Sequence, residues 1–282
     1  MGTKIEWATE TWNPVTGCTK VSEGCQNCYA ERMAKRLAGR YGYPKDDPFR
    51  VTLHPNRLEQ PLKWRKPRRI FVCSMGDLFH DDVPVPFLVD VFDVVYKCPQ
   101  HTFIFLTKRP ENLKWLRING PIVGAEPLSN VWLGVTAENQ KTADERIPIL
   151  LRISAAVKFV SVEPMLGPMV LCRWIARDGF RKGLNWVICG GESGPGARPM
   201  HPDWARGLRD QCQTAGVPFF FKQWGEYCYV EQMTRDTYVM VDKNVNLAGH
   251  GDYDKPWKVG KKDAGALLDG EEWNEYPWAS WI

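Results

Sequence analysis

Short β-rich runs alternate with helix-like stretches along most of this chain, and that rhythm constrains the fold more than any other feature. A strand, a crossover helix and a second strand in the same direction build a parallel sheet. The spacing predicts strands at 69–73, 102–106, 131–135, 157–162, 186–189 and 217–221, with a further one near Ile5-Glu6-Trp7. Helices are expected over 29–38, 86–96, 111–116, 143–151 and 203–215, the fourth kinked or shortened by Pro148. Runs such as Phe103-Ile104-Phe105-Leu106 are apolar on both faces, as in strands covered on both sides. The expected fold class is α/β, a partial or complete parallel (β/α) barrel.

The barrel domain is expected over 1–226, with a Pro-rich basic insertion at 39–67. After Glu226 the rhythm breaks, and 227–282 reads as a C-terminal appendage. Within it, 227–247 suggests a β-hairpin or loop, and 258–270 a short helix before the Trp-rich end at 273–282.

Each strand stops at polar residues. In β/α barrels the C-terminal strand ends gather the active site, so Ser74, Asp77, Thr107, Lys108, Arg109, Glu138, Asn139, Glu163, Glu192, Ser193, Lys222 and Gln223 are expected to face one cavity. For any single one of them, a solvated loop position is the competing reading.

Three cysteines, Cys18, Cys25 and Cys28, stand together near the start. They lie in turn-forming sequence next to Gly17 and Gly24, which argues against simple core packing. Thiolates favour zinc, copper(I) or iron-sulfur clusters. A structural zinc site closes with four ligands in paired spacings, and neither a second Cys-x2-Cys nor a His-x3-His follows. A four-iron cluster on three thiolates would keep one iron open to a substrate or cofactor.

Composition narrows the setting. The first thirty residues carry Lys4, Glu6, Glu10 and Lys20 with no apolar core, so no signal peptide is expected, and nine cysteines without export suggest a reducing cytoplasm. No apolar run approaches membrane-spanning length, and no membrane association is expected. Cys73, Cys98, Cys189 and Cys228 lie in or beside strand-like runs and read as buried thiols. A net charge of +4 permits a nucleic-acid partner without demanding one. The basic insertion reads first as a solvated surface, although Trp64 among its cations would suit a base-stacking contact.

Longer motifs carry a resemblance. The stretches Thr11-Trp12-Asn13-Pro14-Val15-Thr16-Gly17-Cys18, Cys25-Gln26-Asn27-Cys28-Tyr29-Ala30-Glu31-Arg32-Met33, Leu106-Thr107-Lys108-Arg109-Pro110, Gly190-Gly191-Glu192-Ser193-Gly194 and Phe221-Lys222-Gln223-Trp224-Gly225 cover most of residues 4–226. The chain resembles the radical S-adenosylmethionine superfamily and, more closely, the phage-associated three-Cys-motif radical-SAM-like proteins. Its Cys-x6-Cys-x2-Cys spacing is longer than the commonest Cys-x3-Cys-x2-Cys, a difference that the Gly17 and Gly24 turns can absorb.

The resemblance implies a [4Fe-4S] cluster on Cys18, Cys25 and Cys28, with S-adenosylmethionine chelated to the fourth iron and cleaved reductively to a 5'-deoxyadenosyl radical. It implies cofactor contacts from Ser74, Asp77, Thr107, Glu138, Asn139, Glu163, Gly190, Gly191 and Glu192, with Asp77 on the methionine amino group and Glu138 and Asn139 on the ribose. Lys108, Arg109, Arg198, Lys222 and Gln223 are expected to meet an anionic substrate, for which nucleic acid leads. A partner protein remains an open expectation. The rival reading is a nucleic-acid-binding or repair-associated protein whose metal centre is structural.

Overall fold

The computed structural model describes residues 3, 5–118, 128–175, 183–245 and 254–277. In chain order its strands are β1 (Glu10–Trp12), β2 (Val15–Thr16), β3 (Thr52–Leu53), β4 (Arg69–Val72), β5 (Thr102–Thr107), β6 (Val131–Thr136), β7 (Val157–Val162), β8 (Trp186–Gly190), β9 (Phe219–Gln223), β10 (Tyr227–Tyr229), β11 (Pro256–Lys258), β12 (Leu267–Leu268) and β13 (Glu271–Glu272). The helices used below are α1 (Tyr29–Arg36), α2 (Val85–Lys97), α3 (Lys114–Ile118), α4 (Gln140–Leu151), α5 (Cys172–Ile175), α6 (Pro202–Ala215), α7 (Arg235–Val245) and α8 (Lys261–Ala264).

Seven strands share one sheet in the order β1-β4-β5-β6-β7-β8-β9. The order has two ends, so the α/β sheet is the open, partial form of the expected barrel. The β1–β4, β4–β5, β5–β6 and β8–β9 pairings are parallel. By internal contacts the chain divides into two compact units, residues 1–136 with 145–159, and residues 137–144 with 160–282.

In the first unit, all six residues of β6 are buried, and Phe103, Ile104 and Phe105 of β5 are at most 1% exposed. Such two-faced burial requires helices over the sheet. Helix α2 supplies one, burying Phe87, Leu88, Val91, Phe92, Val94 and Val95 on a helical stripe that stacks Phe92 against Phe105 at 5.2 Å. The first strand lies at Glu10–Trp12, not near Ile5-Glu6-Trp7. There Ala8 N–H closes a turn onto the Ile5 carbonyl, and Trp7 packs edge-on against Phe71 at 4.7 Å. An aromatic that reads as strand sequence is a core anchor just ahead of the strand.

Two other expectations are corrected. Helix α4 is not shortened at Pro148 but runs through it to Leu151, with Ala143, Ile147 and Leu150 fully buried along it. The stretch after Glu226 is no local hairpin. Strand β10 pairs antiparallel with β11, and helix α7 lies between them in sequence; residues 246 and 247 lie outside the described residues. Helix α8 falls where a short helix was expected. Residues 278–282 of the Trp-rich end also lie outside the description. Its earlier part pairs along β9: Phe221 N–H bonds the Trp273 carbonyl at 2.8 Å, and Phe220 forms an antiparallel bridge with Asn274. An open edge strand is covered in this way.

Cys73, Cys98, Cys189 and Cys228 are all buried, as the strand-like runs suggest. No helix among the described residues is long and apolar enough to cross a membrane.

Candidate metal and cofactor site

The first unit assembles a candidate site from three segments far apart in sequence. Strand β2 leads into Cys18 and pairs with β3 of the basic insertion. The insertion holds that lead tightly. Cys18 N–H bonds the Phe49 carbonyl at 3.0 Å, His54 Nε2 lies 2.8 Å from Thr16 Oγ1, and Arg57 Nη1 donates to the Asn13 carbonyl at 3.1 Å. Gly17, at φ +85°, approaches the insertion so closely that a Cβ there would lie 2.0 Å from the Arg50 carbonyl oxygen. Only glycine fits this turn. Phe49, His54 and Arg57 therefore make this part of the insertion a clamp on the cysteine loop, while Arg50, Lys63, Arg65 and Lys66 are exposed, as in a solvated run. Trp64 is engaged as well, with the Arg68 guanidinium 5.1 Å from its ring centre.

The second segment follows β4. Asn13 Oδ1 accepts from Ser74 Oγ at 3.2 Å and from Met75 N–H at 3.0 Å, while Gly17 N–H bonds the Met75 carbonyl at 2.9 Å. Ser74-Met75-Gly76-Asp77 is thereby laid against the approach to Cys18.

The third segment follows β5 and meets the other two at Asp77. The Asp77 carboxylate accepts from Thr107 Oγ1 at 2.8 and 2.9 Å, from Phe79 N–H at 3.0 Å, from Lys108 N–H at 3.2 Å and from Arg109 Nη1 at 3.4 Å. Arg109, 2% exposed, extends from there to the cysteine loop. Its Nη1 also donates to Cys18 Sγ at 3.3 Å, and its Nη2 donates to the Thr19 carbonyl at 3.0 Å and to Thr19 Oγ1 at 2.7 Å. His80 Nε2 lies 2.8 Å from the same hydroxyl. Cys18, Asp77, Thr107, Lys108 and Arg109 are thus brought together, and Ser74 is tied in through Asn13.

Charge around the thiols is uneven. Burial, with Asp77 adding to it, pushes the Cys18 thiol up to about 11 against the pull of Arg109. Burial also acts to raise Cys25, but Lys108 and hydrogen bonds from Val21 and Ser22 outweigh it and its pKa falls below the ordinary thiol value. Cys28 opens helix α1 at its N-cap. All three are unbridged and partly exposed.

These donors suit an iron-sulfur cube: three soft ligands, two neighbouring cations to offset thiolate charge, and a loop fixed by backbone bonds. Among the described residues no three His, Cys, Asp or Glu side chains converge as the ligands of one ion would. A cube takes its thiolates at three separate iron corners, so that geometry bears on a closed zinc-type site and leaves the cube untouched.

The second unit holds the remaining candidates as separate groupings. Asn139 Oδ1 accepts from Thr142 N–H at 3.0 Å, an N-cap on α4, and Glu138 beside it is fully buried. Glu163 Oε1 and Lys222 Nζ are 2.6 Å apart, with Gly190 packed beside both. Glu192 takes a bidentate bond from Arg198, whose Nε and Nη2 donate at 2.9 and 2.7 Å. Gln223 Nε2 donates to the Gly191 carbonyl at 3.2 Å, and its buried Oε1 has no partner among the described residues.

Sequence reasoning assigned no role to Asn13, Thr19, His54 or His80. Asn13 was quotable only as part of a motif; its bond to Ser74 spans 61 residues, a distance over which no local pattern signals a partner.

A family model described as "Protein of unknown function (DUF5131)" matches residues 2–277. No curated protein matches the chain by sequence. Among solved structures, a double mutant of spore photoproduct lyase with bound AdoMet and dinucleoside spore photoproduct is similar at 12% identity and a TM-score of 0.48, over 87% of this chain and 63% of that one. A cysteine-to-serine mutant of the same enzyme is similar at 13% identity and a TM-score of 0.49, over 76% of this chain and 75% of that one. This chain thus spans less than two thirds of the length of the first.

Proposed function

We propose that this chain, which belongs to the family described as protein of unknown function (DUF5131), is a radical S-adenosylmethionine enzyme acting on a nucleic acid or nucleotide. One observation carries the reading: three unbridged thiols share a unit with the Ser74–Asp77 run, which is hydrogen-bonded to the lead of the first thiol. Cys18, Cys25 and Cys28 would hold the cluster. When bound, cluster and cofactor together supply one-electron cleavage of a sulfonium and abstraction of a substrate hydrogen.

The chain's own groups bind and orient. Asp77, pinned by Thr107 and the Phe79 and Lys108 amides, presents fixed negative charge suited to an ammonium group. Ser74, tied to the same loop through Asn13, joins it in the cofactor contacts of this reading. Lys108 serves the substrate in this reading. Charge distribution supports a polyanion: residues 18–69 carry thirteen Lys and Arg against five Asp and Glu in a chain of net +4, with Lys20, Lys35, Arg36, Arg40, Lys45 and Arg50 all exposed.

Anaerobic reconstitution with iron and sulfide, then reduction with S-adenosylmethionine present and chromatography for 5'-deoxyadenosine, tests the reading. Visible cluster absorbance and the nucleoside product are expected in the native chain and absent in Cys25→Ala. A native chain that takes up no cluster sinks the proposal. A cluster without cofactor affinity would favour a structural centre in a nucleic-acid-binding protein, which the clamp of the insertion on the cysteine loop would also suit.

A further inference from the structure

Arg109 is buried and fully engaged, and a substrate role does not account for it. At 2% exposure its nitrogens are committed to Cys18 Sγ, Asp77 and Thr19, and Nε lies 3.9 Å from Asp81 Oδ2. A guanidinium so placed cannot reach a substrate phosphate without breaking up the loop that it fastens. What it does is direct one charge-assisted N–H at one sulfur.

We infer that Arg109 is a positioning residue that sets the reduction potential of the metal centre through Cys18, with Asp77 acting against it. The inference rests on the functional reading above. Hydrogen bonds to cluster sulfurs and nearby charge are among the levers that fix such potentials. Reduction adds one electron and therefore one negative charge. A buried cation 3.3 Å from a ligand sulfur stabilises the reduced state more than the oxidised one, and its removal lowers the potential. Asp77 shares Nη1 with that sulfur and carries the opposite charge, so its neutralisation raises the potential. Burial makes both effects larger than they would be in water.

The opposed signs separate this role from mere support of the loop. Reconstituted full-length protein would be titrated with dithionite and mediator dyes while the reduced signal is followed by electron paramagnetic resonance, for the native chain, Arg109→Gln and Asp77→Asn. At fixed potential the ratio of reduced to oxidised centre is expected to fall about tenfold in Arg109→Gln, about 59 mV for one electron, and to rise in Asp77→Asn. Equal potentials in all three, or a shift in the same direction in both variants, overturns the inference. Should Arg109→Gln retain no cluster, Asp77→Asn decides alone: an upward shift supports the inference, and no shift or a downward one removes it. A native chain without any cluster strikes the functional reading instead, which is a different result.

Discussion

His54 shows how one buried side chain couples the insertion to the cysteine loop. It is 5% exposed, its ring lies under Gly42, and its Nε2 meets Thr16 Oγ1. Burial, then the neighbouring Arg57, lowers its pKa to about 4. A depressed histidine is neutral in the folded protein while the unfolded chain protonates near 6.5, so the unfolded state binds more protons in between. Stability from this group is complete above about pH 6.5 and is lost as pH falls towards 4, on the order of 2 kcal/mol. Urea titrations at pH 7.5 and 5 should show that loss in the native chain and a smaller one in His54→Gln; equal losses would remove His54 as the cause. At this scale the sequence displayed the chemistry-bearing residues without their partners. The three cysteines and Asp77 stood out by type and position. Whether Arg109 met a substrate or a thiol depended on a contact spanning 91 residues, which no local spacing encodes.

At the scale of elements, the ends of β8 and β9 are fitted together through two glycines. A Cβ on Gly191 would lie 1.8 Å from the Trp224 carbonyl oxygen, and one on Gly225, at φ +92°, would lie 2.1 Å from the Glu192 carbonyl oxygen. Both obstacles are backbone, which cannot swing aside. Gly191→Ala is expected to cost on the order of 2–4 kcal/mol, read as a lower urea midpoint, because the strand ends must separate. Gly207 is the contrast: it lies inside α6 with nothing within 4 Å of its missing Cβ, so Gly207→Ala should raise the midpoint by about 0.5–1 kcal/mol. A Gly191→Ala protein as stable as the native chain would show that the close approach is not tight. Gly191 was legible as a place of backbone proximity, although its neighbour is protein backbone, whereas Gly190 meets only the Glu163 and Lys222 side chains at ordinary contact distance. Strands and helices were readable wherever apolar periodicity was long, as in α2 and β5. They were misplaced where a lone aromatic imitated a strand at Trp7, and where β10 found its partner across an intervening helix.

Across the second unit as a whole, the segment after β9 is secured at one carboxylate. Asp269 accepts from Arg206 Nη2 at 2.7 Å, Arg209 Nη1 at 2.6 Å and Gln232 Nε2 at 2.7 Å, joining helix α6, the turn after Tyr229 and the β12–β13 connection. The sequence marked 227–282 as an appendage because the strand–helix rhythm stopped there. Its attachment was invisible because the bonds that fasten it, from Arg206, Arg209, Phe221 and Trp224, come from residues ahead of it in the chain. Arg206 first, with Gln232 and Arg209, holds the Asp269 carboxyl well below the usual carboxylate range. For a depressed carboxylate the stabilisation is present above the unfolded value near 3.9 and is lost as pH falls from there towards the folded value. A third of the side chain is exposed, so solvent screening reduces the network to about 1 kcal/mol. Asp269→Asn should therefore melt below the native chain at pH 7, with the gap narrowing below pH 4 and in high salt. Because the same unit carries the bridge from Phe220 to Asn274 that covers the β9 edge, amide exchange in the variant should rise at Phe219 and Phe221, which bond Glu275 and Trp273. Unchanged exchange there would mean that the edge is held by its own pairing and not by the Asp269 hub.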